Sequence, residues 1–268
     1  MSSTSNPIGL FDSGVGGLTV AHAISTLLPK EQLIYYGDTE HLPYGDKSKE
    51  TIVRYSLGIA DFLLKKGAKV ILIACNSASA NAFNEVKKHV GKKAHVLNVV
   101  DPVVEHVVSS EEVQQVGVIG TKATIHSESY PKRIIAKRDD LAVSSLATPL
   151  LVPMIEEGFV FDDISNAIIR SYLGRKDLDG IDSLILGCTH YPIIRNQISR
   201  YYNFEVNVID TSRIVASYLQ AFLEKKGLLA ESRAGDDKFY VSDHTEYFDA
   251  IARMFFNRRI ELRRKSIW

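Results

Sequence analysis

Apolar runs of strand length alternate with helical patterns along the whole chain, and this alternation restricts the fold more than any other feature. "IGLFD" (8–12) precedes a helical stretch over 16–28, "QLIYYGD" (32–38) one over 48–66, and "KVILIAC" (69–75) one over 77–89. Within 48–66, Ile52, Tyr55, Ile59, Phe62 and Leu63 recur at helical spacing. The run at 69–75 is uniformly apolar, as a strand buried on both faces of a parallel sheet should be. Further strands are predicted at 94–100, 115–121, 141–148, 182–188, 205–211 and 238–243. Helices are predicted over 101–108, 123–137, 149–157, 161–173, 190–201, 212–226 and 244–262, the first opening at Asp101-Pro102. The expected class is α/β, with parallel sheets and right-handed crossovers.

At 268 residues, 45% hydrophobic and 24% charged, the chain has a soluble globular composition sufficient for one large domain or two ordinary ones. Lys+Arg and Asp+Glu both number 32, so no global field recruits nucleic acid or an anionic membrane. No apolar stretch is long enough to span a bilayer. Residues 1–7 lack the pattern of a secretory signal and are read as a disordered tail, so a cytoplasmic protein is expected. The basic run 257–265 is read as the solvated face of the last helix. Candidate domain boundaries are "VVDP" (99–102) and "VIDT" (208–211).

Chemistry-bearing residues collect after strand ends, where open α/β sheets bind ligands. Strand one ends in Asp12 and runs into Ser13-Gly14-Val15-Gly16-Gly17; strand two ends in Gly37-Asp38-Thr39, with Pro43-Tyr44-Gly45 close behind. The only two cysteines occupy matching places, in "VILIACNSASA" (70–80) and "LILGCTHYPII" (184–194), which hints at a duplicated half. The glycine loop lacks the third glycine of a dinucleotide fingerprint, since Thr19 stands there, and has no P-loop lysine. It remains either a small-anion nest or a plain tight turn.

Two cysteines are too few for a disulfide framework or a structural zinc site. A cysteine at a helix start is expected to have a lowered pKa. Nucleophilic catalysis needs one such thiol, whereas two symmetric ones suit inversion of a stereocentre, with an acid and a base on opposite faces of one carbon. His190 stands two residues beyond Cys188 as a tuner of its ionisation, and Asp12 is placed to do the same for Cys75. Nothing marks a pyridoxal lysine, and no His/Asp/Glu cluster has metal spacing.

"FDSGVGGLTV" (11–20), "YYGDTEHLPYGDKS" (35–48), "ACNSASA" (74–80) and "LGCTHYP" (186–192) together resemble the signature blocks of the bacterial glutamate racemases, in order and spacing. The resemblance implies two pseudo-symmetric parallel-sheet α/β domains with the active site in the cleft between them. The first would comprise 1–98 plus 210–268 and carry Cys75, the second 99–209 and carry Cys188. It implies interconversion of L- and D-glutamate without cofactor or metal, supplying D-glutamate for peptidoglycan, by a cytoplasmic homodimer. Aspartate or hydantoin racemases of the same superfamily are the nearest competitors, and a non-catalytic binding protein is the alternative from another class.

By this resemblance Cys75 acts on D-glutamate and Cys188 on L-glutamate. Asp12 partners the first thiol; His190 partners the second, with Glu156 of "VPMIEEG" behind it, where the adjacent Glu157 leaves the register open. Asp12, Ser13, Tyr44, Gly45, Asn76, Ser77, Thr189 and His190 resemble the substrate-holding groups. Ser77 stands where the family usually has Thr, which keeps the hydroxyl and removes a methyl.

Overall fold

The apolar runs become buried parallel strands, and the amphipathic stretches become the helices that cover them. The computed structural model describes residues 3–256 and 259–268. The first part of the chain contributes β1 (Ile8–Asp12), α1 (Leu18–Leu27), β2 (Leu33–Gly37), α2 (Lys49–Lys65), β3 (Val70–Ile73), α3 (Asn76–Val90), β4 (His95–Asn98) and α4 (Val100–Val108). The second contributes β5 (Gln115–Gly120), α5 (Lys122–His126), α6 (Ser129–Ile135), β6 (Ala142–Ala147), α7 (Leu151–Glu156), α8 (Asp163–Leu173), β7 (Ser183–Gly187), α9 (Arg195–Tyr201) and β8 (Asn207–Ile209). The chain then forms α10 (Thr211–Lys226), β9 (Lys238–Val241), α11 (Glu246–Phe256) and β10 (Leu262–Arg264).

These strands make two wholly parallel sheets, ordered β10-β9-β2-β1-β3-β4 and β6-β5-β7-β8. Two parallel-sheet α/β domains follow, as the resemblance implied. The core of the first sheet, β2-β1-β3-β4, and the whole of the second follow one rule: second strand, first, third, fourth. In that winding the connections depart to opposite sides between the first and third strands, leaving a crevice at their carboxyl ends. Asp12 and Cys75 flank the crevice of one sheet; Thr121 and Cys188 flank that of the other.

Local chemistry sets the element ends. The Ser48 hydroxyl accepts from the Thr51 N–H at the start of α2, and Asp210 caps α10, which stops at Gly227 in the left-handed region (φ 64°). At α4, Asp101 does not provide the cap. Asn98 Oδ1 accepts from the N–H groups of Val100 and Asp101 at 2.8 Å each, and Asp101 pairs with Arg133 instead.

Three expectations are corrected. The single helix over 123–137 is two, because Glu128 turns left-handed (φ 56°) between α5 and α6. The helix expected over 244–262 covers Glu246–Phe256 among the described residues and does not extend over 259–262, and part of the basic run, Leu262–Arg264, pairs with β9 as a parallel strand, so that run is not one solvated helical face. Asn257 and Arg258 of the run lie outside the described residues.

The tail expected to be disordered is tied down from Ser3 onward, residues 1–2 lying outside the description. Lys69 Nζ, fully buried, donates to Thr4 O at 2.6 Å and Leu228 O at 2.8 Å and pairs with buried Glu31 at 2.6 Å. Glu31 in turn accepts from the Ala230 N–H at 2.8 Å. One ammonium thus joins the tail, the start of β3, and the segment that returns from α10 to the first sheet. Removing one partner of a buried pair strands the other charge, so Lys69→Ala is expected to cost about 3–5 kcal/mol of stability. Urea unfolding of the two proteins measures it.

Candidate active site

The two crevices face each other and enclose one cavity of about 270 Å³. Drug-sized ligands need about 300–1,000 Å³, so this space suits a molecule of amino-acid size. Ten of the eleven residues singled out from the sequence line it: Ser13, Tyr44, Gly45, Cys75, Asn76, Ser77, Glu156, Cys188, Thr189 and His190. Asp12 does not. It is buried behind Cys75, with Oδ2 accepting from the Gly17 N–H at 2.8 Å. Its side chain stands beside the Cys75 thiol, one layer back from the cavity wall that Ser13 forms.

Cys75 is separated from β3 by one residue and stands at the N-cap position of α3, with no capping hydrogen bond from its side chain. Its Sγ donates to Ser13 Oγ at 3.7 Å. Burial pushes this thiol well above its ordinary pKa, and the Asp12 charge adds to the rise, outweighing the Ala78 N–H and the Ser13 hydroxyl. The direction is opposite to the lowering expected at a helix start, because desolvation outweighs the N–H that the start of α3 offers the sulfur. Burial also raises the Asp12 carboxyl, against the opposing pull of the His190 charge.

The other thiol has a different setting. Cys188 precedes a short 3-10 turn (Tyr191–Ile194) rather than an α-helix. His190 bridges Cys188 and Glu156, with Nδ1 3.8 Å from the sulfur and Nε2 2.9 Å from Oε1. It is Glu156 that reaches the imidazole. Burial disfavours the imidazolium, but the hydrogen bonds and charges of Cys188 and Glu156 outweigh it and raise the His190 pKa to about 10. The ring also meets Phe255 of α11 edge-on at 5.0 Å, so the returning chain backs it.

Gly16 answers the question posed by the glycine loop. A Cβ there would lie 2.4 Å from His190 Cε1 and 2.6 Å from Thr189 Oγ1. The glycine admits the Cys188 loop against the β1 loop, and Thr19 Oγ1 donates to Thr189 O at 3.1 Å beside it. The loop thus serves close packing, with Ser13 as its contribution to the cavity wall.

Hydroxyls and amides complete the lining. Tyr130 OH donates to Asn76 Oδ1 at 2.7 Å, which leaves the NH₂ end of that amide for the cavity. Ser77 Oγ lies 2.8 Å from Thr121 Oγ1 and 3.3 Å from Thr124 Oγ1, so the hydroxyl kept at this position bridges the two sheets' elements. Lys122 and Asp46 pair at 3.2 Å across the mouth. Thr121 and Thr148 also line the cavity and escaped the sequence reading. Both stand just beyond strand ends, β5 and β6, so the signal that could have found them is the one that points to the cysteines. Among the described residues, no three His, Cys, Asp or Glu side chains converge as a metal ion would require, and no helix is long and apolar enough to cross a membrane.

Two doubly wound parallel sheets with one cysteine beyond each switch point frame a single cavity of amino-acid size, and the comparisons place this arrangement among the amino-acid racemases. Residues 17–219 match the Asp/Glu/hydantoin racemase family, and the chain belongs to it. Its relatives within that family include the glutamate racemase of Aquifex aeolicus (strain VF5), 40% identical over 255 residues and 95% of each chain. The crystal structure of glutamate racemase from Francisella tularensis subsp. tularensis SCHU S4 in complex with D-glutamate superposes at a TM-score of 0.92, with 37% identity and 98% of each chain covered. The Thermus thermophilus glutamate racemase in complex with beta-chloro-D-alanine gives 0.88, with the same identity and coverage.

The imidazole of His190 is expected to titrate near pH 10 by NMR of ¹⁵N-labelled protein. Because the Glu156 hydrogen bond and charge raise that value, Glu156→Gln should move the midpoint down. A wild-type midpoint near 6.5, the ordinary histidine value, would contradict the arrangement.

Proposed function

We propose that this protein is a glutamate racemase that interconverts L- and D-glutamate without a cofactor, with Cys75 and Cys188 as the acid/base pair. The observation that carries the reading is the placement of two free thiols at equivalent strand ends on one enclosed cavity, each with its own ionisable partner. The known proteins it matches along nearly its whole length are glutamate racemases, one with D-glutamate bound.

The partners differ, and the difference gives a direction. Cys75 beside Asp12 is held as a thiol, ready to donate. Cys188 has the cation of His190 next to it, the setting in which a sulfur serves as base. From the unliganded state, Cys188 removes the α-proton of L-glutamate while Cys75 delivers one to the opposite face. The products are D-glutamate, a Cys188 thiol and a Cys75 thiolate. In the reverse direction Cys75 acts on D-glutamate, and the raised Asp12 carboxyl is its proton-holding neighbour. Glu156 fixes the tautomer and charge of His190.

Ser13, Tyr44, Gly45, Asn76, Ser77 and Thr189 hold the carboxylates and ammonium, with Thr121 across the cavity. Among the described residues no arginine lines the cavity, so backbone N–H, hydroxyl and amide donors do this work, with Lys122 at the mouth. Such preorganised donors also stabilise charge that develops as the α-proton leaves. The domains are 1–98 plus 210–268, carrying Cys75, and 99–209, carrying Cys188. The homodimer, the cytoplasmic setting and the supply of D-glutamate for peptidoglycan go with this reading.

The test is purified protein with L-glutamate, and separately L-aspartate, in D₂O without added cofactor, followed by NMR for Cα deuterium and by circular dichroism for rotation. Exchange with loss of rotation is expected for glutamate. Turnover of aspartate instead moves the substrate assignment, and no exchange with either overturns the reading. Cys75→Ala and Cys188→Ala should each lower racemisation by at least about 10²–10⁴-fold, the contribution of a positioned acid or base. Robust turnover by either variant would sink the two-thiol mechanism.

A further inference from the structure

The cavity's roof is the segment Leu42–Gly45, and its support lies outside the site. Tyr44 OH donates to Asp38 Oδ2 at 2.7 Å. Asp38 Oδ1 is engaged by His41 Nδ1 at 2.9 Å and Ser242 Oγ at 3.0 Å. The His41 ring stacks on Tyr55 at 4.1 Å, and Tyr55 stacks in turn with Tyr44 at 5.8 Å. Trp268 closes this set, meeting His41 edge-on at 5.1 Å and Tyr55 at 5.3 Å.

The indole has a dedicated seat. Gly58, in the middle of α2, lies under it so closely that a Cβ would come within 2.5 Å of Trp268 Cζ3. A glycine inside a helix is unfavourable relative to alanine, so its presence here calls for a contact, and the indole is that contact. The approach to the seat is also fixed. After β10, the Lys265 N–H donates to Val241 O at 2.8 Å, and Tyr36 OH donates to Lys265 O at 2.9 Å.

We propose that Trp268 is a positioning residue for the reaction: seated on Gly58, it braces His41 and Tyr55, and through them holds Tyr44 and Gly45 over the substrate. The role rests on the glutamate racemase reading for its kinetic consequence, but its effect on the roof does not.

The experiment compares Trp268→Ala, Trp268→Phe and Gly58→Ala with wild type, by racemisation kinetics and by the rate at which iodoacetamide alkylates the two cavity thiols. Gly58→Ala improves the propensity of α2 while evicting the indole, so it reports on the brace even where Trp268→Ala folds poorly. Expected are a KM for glutamate raised five-fold or more in Trp268→Ala and Gly58→Ala with kcat within about threefold of wild type, and thiol alkylation several-fold faster, both largely restored in Trp268→Phe. KM and alkylation within twofold of wild type in Gly58→Ala overturn the proposal. If wild type itself does not racemise glutamate, the substrate reading falls, and the alkylation rates alone decide the role of Trp268.

Discussion

Gly16 occupies a point where no side chain fits, hard against His190 and Thr189. The rest of the site depends on that approach. Because the β1 loop carries no Cβ there, the loop after β7 can lie against it, and the carboxyl ends of two separate sheets share one cavity. Thr19 pins the contact from the helix that follows. Each sheet alone offers half a site: one thiol, one partner, and a crevice open to water. Brought together, they give one cavity lined by a sulfur from each sheet.

Burial then acts on the two halves unequally. Around Cys75 the neighbours are a carboxyl and hydroxyls, so desolvation and negative charge reinforce each other and keep the proton on sulfur. Around Cys188 the neighbour is an imidazole that Glu156 holds in its charged form. Two cysteines in near-identical sequence settings thus have unlike neighbours, which is the asymmetry the proposed acid/base pair draws on. Burial of these groups strengthens each of the interactions relative to water.

The returning C-terminal part of the chain matters to both halves. Phe255 of α11 backs His190, Ser242 beyond β9 holds Asp38, and the segment after β10 reaches the aromatic set above Tyr44. The first sheet is completed by strands that follow the whole second sheet in sequence, so the two halves are interlocked by chain path as well as by contact. Lys69 secures that return from the opposite end of the strands.

The class of fold and most of the cavity lining were legible in the order of residues. Short, uniformly apolar runs bounded by turn residues and alternating with amphipathic helices read as strands buried on both faces, and residues just past their ends are the ones a crevice can use; that logic reached Cys75, Cys188, Ser13, Asn76 and Thr189, and would have reached Thr121 and Thr148. Local pattern failed where an alternative partner was remote. Leu262–Arg264 continues a helical pattern but finds an open strand edge, and Glu128 breaks a helix that propensity would carry through. The meeting of the two sheets is what sets Asp12 beside the Cys75 thiol, brings Glu156 rather than Glu157 to His190, and gives the two sulfurs different neighbours. Those outcomes depend on desolvation and on charges brought close from distant parts of the chain, and neither quantity exists until the two sheets meet.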